Sequence, residues 1–526
     1  MNPPTSFVGA LVVALAATTL VAPVSSAQIT LPAESVVLNR THVMLQWPPV
    51  AGAVRYQVQV VVDSGQQDPF NGATPVVDVT IDGAMPRTVI TSGLTFGKAY
   101  AWRVRTVNDQ PGRWGTTHRF SVAPLPAFIP QMVVTGGGDA MQPGLTMFDL
   151  RSGNGAFSGG LALAVDAQGT PVWFLYEAGG VGDLRLLPNG HVLFEGTNRG
   201  NEKSLEGQVF WTSPPGLLVH HEVFPMPSGN YLVLVNTSKL VNIPGGTMIW
   251  NGSRIVEFDH NTNAIVFDWN EFDHFSTLDF DAVTGGGDWT HSNAVIYNEA
   301  DHSIYHSSRH LSRITRIDYP SGNIIYEMGF DMPSGDVDFG DNLFSFQHAP
   351  EMLPNGHMML FDNGNRRDHI VQTPETGVSK AIELAFTGDP PTSASIVWEW
   401  TVPDYNFAVG DADRLPPTAT RQHAGRGGNH QRHLRGRPDG TVTWSLERRA
   451  PSRSTSSTAA ERISAPALPA DPARSRWKMD VERAPRSRSL LSAWGPCPVG
   501  DPCSATNNDG TVGGADLGLL ISTWGT

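Results

Sequence analysis

Between residues 131 and 410 two kinds of hairpin alternate, and this repetition constrains the fold more than any other feature of the chain. One unit is strand, Pro-Asn-Gly-type turn, strand: Leu186-Leu-Pro-Asn-Gly-His-Val-Leu-Phe194, Met226-Pro-Ser-Gly-Asn-Tyr-Leu-Val-Leu234 and Met352-Leu-Pro-Asn-Gly-His-Met-Met-Leu360. The other is strand, polar turn, strand ending in an aromatic residue: Val165-Asp-Ala-Gln-Gly-Thr-Pro-Val-Trp173, Phe258-Asp-His-Asn-Thr-Asn-Ala-Ile-Val-Phe267 and Ile317-Asp-Tyr-Pro-Ser-Gly-Asn-Ile-Ile-Tyr326. Turn residues between β-branched and aromatic runs mark antiparallel pairs. Two hairpins make a four-stranded blade, and tandem blades favour a β-propeller over an irregular sandwich. The available length accommodates about four to six such blades. Propeller sites lie at the axis, where the innermost strand of each blade begins.

Chemistry-bearing residues fall at such places. Asp288 to Ser312 reads as a hairpin with His291 and Asn293 where the first strand starts, a turn at Asn298-Glu-Ala-Asp301, and Arg309 where the second ends. In an antiparallel pair those ends lie side by side. A histidine, an amide and a guanidinium together suit a small tetrahedral oxyanion. His302, His306 and His310 are spaced by four. That would make a metal-binding face on a helix, but Ile304-Tyr305 and the turn favour a strand, where the spacing marks one sheet face. His220-His221 enters the second Pro-Ser-Gly hairpin and Gln347-His348 the last Pro-Asn-Gly hairpin. His221 precedes Pro227 by six residues and His348 precedes Pro354 by six. The two therefore read as equivalent positions in two blades, with His291 as a third histidine aimed at a common axis.

A chain of 526 residues predicts two to four domains. Its formal charge of −14 gives no reason to expect nucleic acid or an anionic membrane as partner. The apolar run Phe7 to Val24, followed by Ser25-Ser26-Ala27, reads as a signal peptide cleaved after Ala27, so the protein is expected to be secreted or periplasmic. No later run is long enough to span a bilayer. Residues 28–125 alternate in short strands (Val43 to Trp47, Tyr56 to Val60, Tyr100 to Val104) and predict a β-sandwich. Residues 126–130 close a proline-rich linker, and the propeller is placed at 131–445. Fifteen arginines lie between Arg414 and Arg488. Residues 415–490 are poor in large apolar residues, with Arg437-Pro-Asp-Gly-Thr-Val-Thr-Trp444 alone reading as a blade hairpin. This composition predicts disorder, with 446–489 assigned as the disordered segment, and leaves closure of the propeller open. The tail, 490–526, holds both cysteines, Cys497 and Cys503, which are close enough for a small disulfide loop in an oxidising compartment.

Three resemblances add to this reading. LQWPPVAGAVRYQVQV with YAWRVRTVNDQPGRWGTTHRFSV resembles a fibronectin type III domain, usually a spacer or binding module. In the tail, Asn507-Asn-Asp-Gly-Thr-Val-Gly-Gly-Ala-Asp516 resembles half of a dockerin-type repeat with an EF-hand-like calcium loop. That likeness implies Asn507, Asp509, Thr511 and Asp516 as calcium ligands and a docking partner for the tail. The motifs DWTHSNAV, SSRHLSRITRID, HHEVFPMPSGNYLVL and FSFQHAPEMLPNGHMMLFDNG resemble the bacterial arylsulfotransferases that use no nucleotide sulfate donor. This resemblance implies a six-bladed propeller and ping-pong transfer of a sulfuryl group from a phenolic sulfate ester to a phenol, without a cofactor. It places the transiently sulfated residue at His348, the sulfuryl-binding residues at His291, Asn293 and Arg309, and the remaining central histidine at His221, with His220 replacing it if the register shifts by one. A further histidine, His221 or His291, would move the proton of the phenol. A non-catalytic modular surface protein, with the propeller used for ligand binding or adhesion, is the competing expectation.

Overall fold

The computed structural model describes residues 30–82, 86–137, 144–151, 159–281, 286–366, 377–403 and 405–414, together with strand backbone at 423–427, 432–436, 442–448, 495–496 and 511–512. Short extended runs between turns yield an almost wholly β chain. Its longest described helix is the single turn Glu271–His274, capped by Asn270, whose side chain accepts from the Phe272 N–H.

The N-terminal part is a sandwich. Val36–Leu38, His118–Val122, Lys98–Thr106, Arg55–Val62 and Val77–Asp82 form one sheet in that order, and Val43–Gln46 pairs with Arg87–Ile90 in the other. Alternation along the strands buries Leu45, Trp47, Tyr56, Tyr100 and Trp102 between them. The sandwich meets the following domain edge to edge. The Thr41 N–H donates to Val172 O at 2.9 Å and the Phe174 N–H to Asn39 O at 3.2 Å, so residues 39–41 cover an otherwise open strand edge.

Six sheets follow. The first is Thr146–Arg151, Gly160–Val165 and Pro171–Glu177; the second is Gly182–Leu186, Val192–Gly196, Arg199–Lys203 and Val209–Thr212. The third is Val219–Pro225, Tyr231–Ile243, Gly246–Phe258 and Ile265–Asn270; the fourth is Ser292–Asn298, Ser303–Ser308, Arg313–Asp318 and Ile324–Gly329. The fifth is His348–Met352, Met358–Asp362, Lys380–Gly388 and Pro391–Thr401. The sixth is Ala412–Arg414, His423–Gly427, Arg432–Gly436 and Val442–Arg448, completed by the early strand Met132–Gly136.

Each sheet packs face to face on the next. Phe194 and Trp173 join the second to the first, Val223 and Leu193 the third to the second, and Ile255 and Val295 the fourth to the third. Ile314 and Met358 join the fifth to the fourth, and Phe361 and Ala412 the sixth to the fifth. Leu446 of the sixth sheet packs with Phe148 and Leu161 of the first, which returns the order to its start in a propeller-like ring. This corrects the expectation of disorder at 423–427, 432–436 and 442–448, which are strands. Backbone pairing of Trp444 with Gly136 through Arg448 with Met132 recruits the Arg-rich segment and stitches the end of the ring to its beginning. A sparse apolar pattern suffices because the early strand supplies Met132 and Val134 to the shared cluster. Residues 449–490, like residues 1–29 with the expected signal peptide, lie outside the described residues.

The Pro-Asn-Gly turns do more than reverse the chain. Asn189, Asn230 and Asn355 donate to Glu202, Glu257 and Glu383, each on the third strand of its own sheet. The same glutamates accept from the neighbouring sheet, through Tyr231 OH at 2.8 Å, Tyr319 OH at 2.6 Å and the Arg414 guanidinium. Glu202 is buried, yet hydrogen bonds from His191, Tyr231, Asn189 and His260 outweigh that burial and hold its carboxyl below 4.5. Glu202→Ala strands several buried donors and is expected to cost about 3 kcal/mol of unfolding free energy at pH 7, read by urea denaturation. Because the folded carboxyl has the depressed pKa, the unfolded chain takes up its proton first. The Glu202 contribution is therefore full above about 4.5 and shrinks as pH falls through the folded value.

Candidate active site

The sequence-predicted residues gather at one end of the ring. His220 and His221 lie at the start of Val219–Pro225, His291 immediately precedes Ser292–Asn298 with Asn293 as its second residue, and His348 begins His348–Met352. Arg309 follows Ser303–Ser308, and the pairing of Ser292 with Ser308 sets it beside His291. The strand holds His306 alone of the three histidines spaced by four. His302 and His310 sit in the turns at its ends, so the expected one-face row is corrected to one strand residue between two turn residues.

Bulges aim these side chains. Pairing slips between His220 and Val223, between Ser292 and Ala294, and between His348 and Glu351. His221, His291 and Ala349 take positive φ values of 59°, 46° and 47°, a conformation costly for residues with a Cβ and concentrated at functional sites. The bulges also correct the sequence register. His220 lies opposite Leu234 and His348 opposite Phe361, equivalent places in the two second strands. The counterpart of His348 in the third sheet is thus His220, not His221. Counting from the turn proline misaligned them because the third-sheet bulge carries one more unmatched residue. His221 stands in that bulge.

The rings form a chain. Centroids of His220 and His221 are 5.1 Å apart, of His221 and His291 5.4 Å, and of His291 and His310 4.6 Å. His291 Nδ1 lies 2.6 Å from Asp288 Oδ2, so an N–H donates to the carboxylate. His310 Nδ1–H donates to the Asp288 carbonyl at 2.7 Å, which leaves Nε2 to accept from Arg309 Nη1 at 2.8 Å. Burial, then the charges of His291 and Arg309, push His310 down to about 4, consistent with that neutral acceptor role.

Arg309 is clamped further by donating Nη2 to Phe407 O at 2.6 Å and by lying 4.8 Å over the Phe346 ring. Burial and the neighbouring Arg366 bring its guanidinium down to about 10, still charged at neutral pH. Its Nε is buried with no hydrogen-bond partner among the described residues. A buried cationic donor left unmatched is a place for an anion. Asn293 Nδ2 donates to Gln347 O at 2.7 Å, which ties it to the backbone just before His348.

His348 is buried, and burial together with the Arg309 charge pushes it down to about 3. Its Nδ1 lies 2.7 Å from Asn363 Oδ1. Asn363 donates Nδ2 to Asn406 O at 2.7 Å and to Val409 O at 3.1 Å, so its oxygen must face the histidine. His348 therefore carries its proton on Nδ1 and its lone pair on Nε2. Beneath the rings the buried Glu271 accepts from Ser253 N at 2.5 Å, from Thr290 Oγ1 at 2.7 Å and from Ser292 Oγ, binding the third and fourth sheets where the histidines emerge.

Asp288, His291 and His310 are the metal-type donors that lie together among the described residues, their atoms within 4.8 Å of one another. Asp288 Oδ2, His291 Nδ1 and both nitrogens of His310 are engaged in the hydrogen bonds above, and the group reads as an Asp–His pair beside an Arg clamp. Of the tail residues, Asn507, Asp509, Asp516 and the Thr511 side chain lie outside the described residues, as do Cys497 and Cys503.

Residues 140–419 match the family model described as Arylsulfotransferase (ASST), which spans just over half of the chain. The chain belongs to the arylsulfotransferase family. The family's aryl substrates are small molecules, and no described helix is long and apolar enough to cross a membrane. No curated protein matches the sequence. Among solved structures, a Bacteroides caccae protein of unknown function is 14% identical with a TM-score of 0.35, covering 60% of this chain and 94% of that one. The Neurospora crassa Pan2 WD40 domain is 11% identical with a TM-score of 0.33, covering 64% and 94%. Likenesses at these scores carry no argument, and the fold rests on the sheet order and packing. For an arylsulfotransferase, the residues that sequence reading missed are Asp288, His310 and Asn363 as partners of His291, Arg309 and His348. Asn363 alone left a signal, since it directly follows Met358–Asp362, the strand that returns alongside His348.

Proposed function

We propose that this arylsulfotransferase is an exported enzyme that moves a sulfuryl group from a phenolic sulfate ester to a phenol by a ping-pong route through a sulfohistidine at His348. The observation that carries this reading is the Asn363 amide, which fixes the lone pair of a neutral, buried imidazole on Nε2. A neutral imidazole is a competent nucleophile.

In the first half-reaction His348 Nε2 forms a bond to sulfur while the bond from sulfur to the aryl oxygen breaks, its electron pair leaving on that oxygen. The ring becomes cationic, and Asn363 Oδ1 stabilises it by accepting from Nδ1–H. His291, protonated and balanced by Asp288, gives the leaving phenolate a proton. In the second half-reaction neutral His291 takes the proton of the acceptor phenol, the phenol oxygen bonds to sulfur, and the S–N pair returns to Nε2. Arg309 and Asn293 supply donors to the sulfuryl oxygens as charge builds on them.

We read the ring as a complete six-bladed propeller, the sandwich as a fibronectin type III-like spacer and the tail as a docking module. Export rests on the signal-peptide pattern. Incubation with 4-nitrophenyl sulfate is expected to release nitrophenol in proportion to added phenol, with phenyl sulfate as the co-product. Equal release without any acceptor would make the protein a sulfatase. No release from a folded protein would favour the non-catalytic surface module.

A further inference from the structure

We infer that His220 and Ser253 are positioning residues that hold His221 as the tautomer with its proton on Nε2, making His221 a hydrogen-bond donor to the sulfuryl group and not its acid–base. What that donor does rests on the function proposed above; the tautomer itself does not.

The Nδ1 atoms of His220 and His221 are 2.8 Å apart. Two lone pairs cannot face each other at that distance, so one N–H lies between them. Ser253 decides which ring owns it. Its Oγ is 3.3 Å from His220 Nε2, and its backbone N–H is spent on Glu271. Ser253 is buried, and His220 Nε2 is the hydrogen-bond partner its hydroxyl has among the described residues. If that hydroxyl accepted from His220, its own hydrogen would be buried without a partner, a costly arrangement. It therefore donates to His220 Nε2. A neutral His220 then carries its hydrogen on Nδ1 and gives it to His221 Nδ1, which leaves the hydrogen of His221 on Nε2. Burial pushes His220 down to about 4, the push from His291 helping and the pull of Glu271 opposing it, which keeps the ring neutral as this chain of donors requires.

Position supports the same division of labour. His221 sits in the bulge at φ 59° with its ring 5.4 Å from that of His291. His291 has a carboxylate behind Nδ1, so its Nε2 can take and return a proton. His221 has a donor behind Nδ1, so its Nε2 can give a hydrogen bond but cannot accept the phenol proton. Two neighbouring histidines are set to opposite duties by what stands behind each, just as environment separates paired acids and bases elsewhere.

The test exploits two isosteres in the full chain. His220→Asn keeps an N–H where Nδ1–H stood; His220→Asp keeps the shape but presents an acceptor. Long-range 1H–15N NMR of histidine-labelled protein, with His221→Gln identifying the signal, reads the tautomer directly. Wild type and His220→Asn should show His221 protonated on Nε2, and His220→Asp should move the proton to Nδ1. Turnover should survive in His220→Asn and fall about 10²-fold in His220→Asp, the usual loss for one transition-state donor. Ser253→Ala should mix the two tautomers and Ser253→Thr restore one, which keeps the test alive if His220→Asp does not fold. A wild-type His221 protonated on Nδ1, or equal losses in His220→Asn and His220→Asp, overturns the inference. Absence of sulfate on His348 would instead sink the transfer reading while the NMR result stood.

Discussion

Protein treated with an aryl sulfate in the absence of acceptor is expected to gain one SO3 group on the peptide that contains His348, and His348→Ala to gain none and lose turnover by on the order of 10⁴-fold or more. Other residues of the cluster cannot replace it. His221 presents an N–H from Nε2, His291 is committed with Asp288 to moving the phenol proton, and His310 is occupied at both nitrogens, while Asn363 leaves the Nε2 lone pair of the buried His348 for sulfur. Asn363→Leu should leave the fold intact and slow sulfuryl uptake, since the cation formed on the ring then loses its acceptor. The pH dependence follows from burial. A His pKa depressed to about 3 means that the reactive, unprotonated form dominates at every pH above that value. Sulfuryl uptake should therefore show no loss of nucleophile between pH 7 and pH 4, measured by rapid quench and mass spectrometry. An acid limb near pH 6.5 that substitutions at Asn363 left unmoved would place the nucleophile elsewhere.

Much of the fold was legible because hairpins announce themselves locally. Alternation, Pro-Asn-Gly turns and aromatic strand ends were enough to place strands and to suggest a ring. Closure was not legible. It depends on Met132–Gly136 pairing with Val442–Arg448 across some three hundred residues, and backbone pairing leaves little trace in side-chain type. The Arg-rich composition pointed toward disorder because apolar patterning measures only what a segment buries itself, not what a distant strand brings to it. The second role of the turn asparagines, anchoring Glu202, Glu257 and Glu383, was hidden for the same reason.

The site shows the limit more sharply. Residue types and order singled out His291, Asn293, Arg309 and His348, and the structure brings these four together at one end of the ring. Spacing from Pro227 and Pro354 then paired His221 with His348, and the bulge shows why counting fails: an unmatched residue shifts every side chain beyond it. What sequence could not supply was the partner behind each histidine. Asp288, His220 and Asn363 decide whether a ring nitrogen offers a proton or a lone pair, and two of those three come from outside the strand whose histidine they serve.

That partner logic yields the second large effect. His291→Ala should cost about 10² to 10⁴-fold when the donor is the sulfate of a weakly acidic phenol, the range expected for losing general acid catalysis. The loss should be much smaller when the leaving phenol is acidic, because a stable phenolate departs without a proton. Asp288→Asn should fall between these limits, since the amide can hold the ring but cannot balance its charge. His221→Gln should behave differently, slowing both donors alike, because a hydrogen bond to the sulfuryl oxygens is needed whatever the leaving group. A plot of log kcat/KM against leaving-group pKa separates the two roles: steeper than wild type for His291→Ala, parallel and displaced for His221→Gln. Parallel lines for both would mean that the phenol leaves without help from His291. Its contact with Asp288 at 2.6 Å would then serve only to hold a sulfuryl ligand in place.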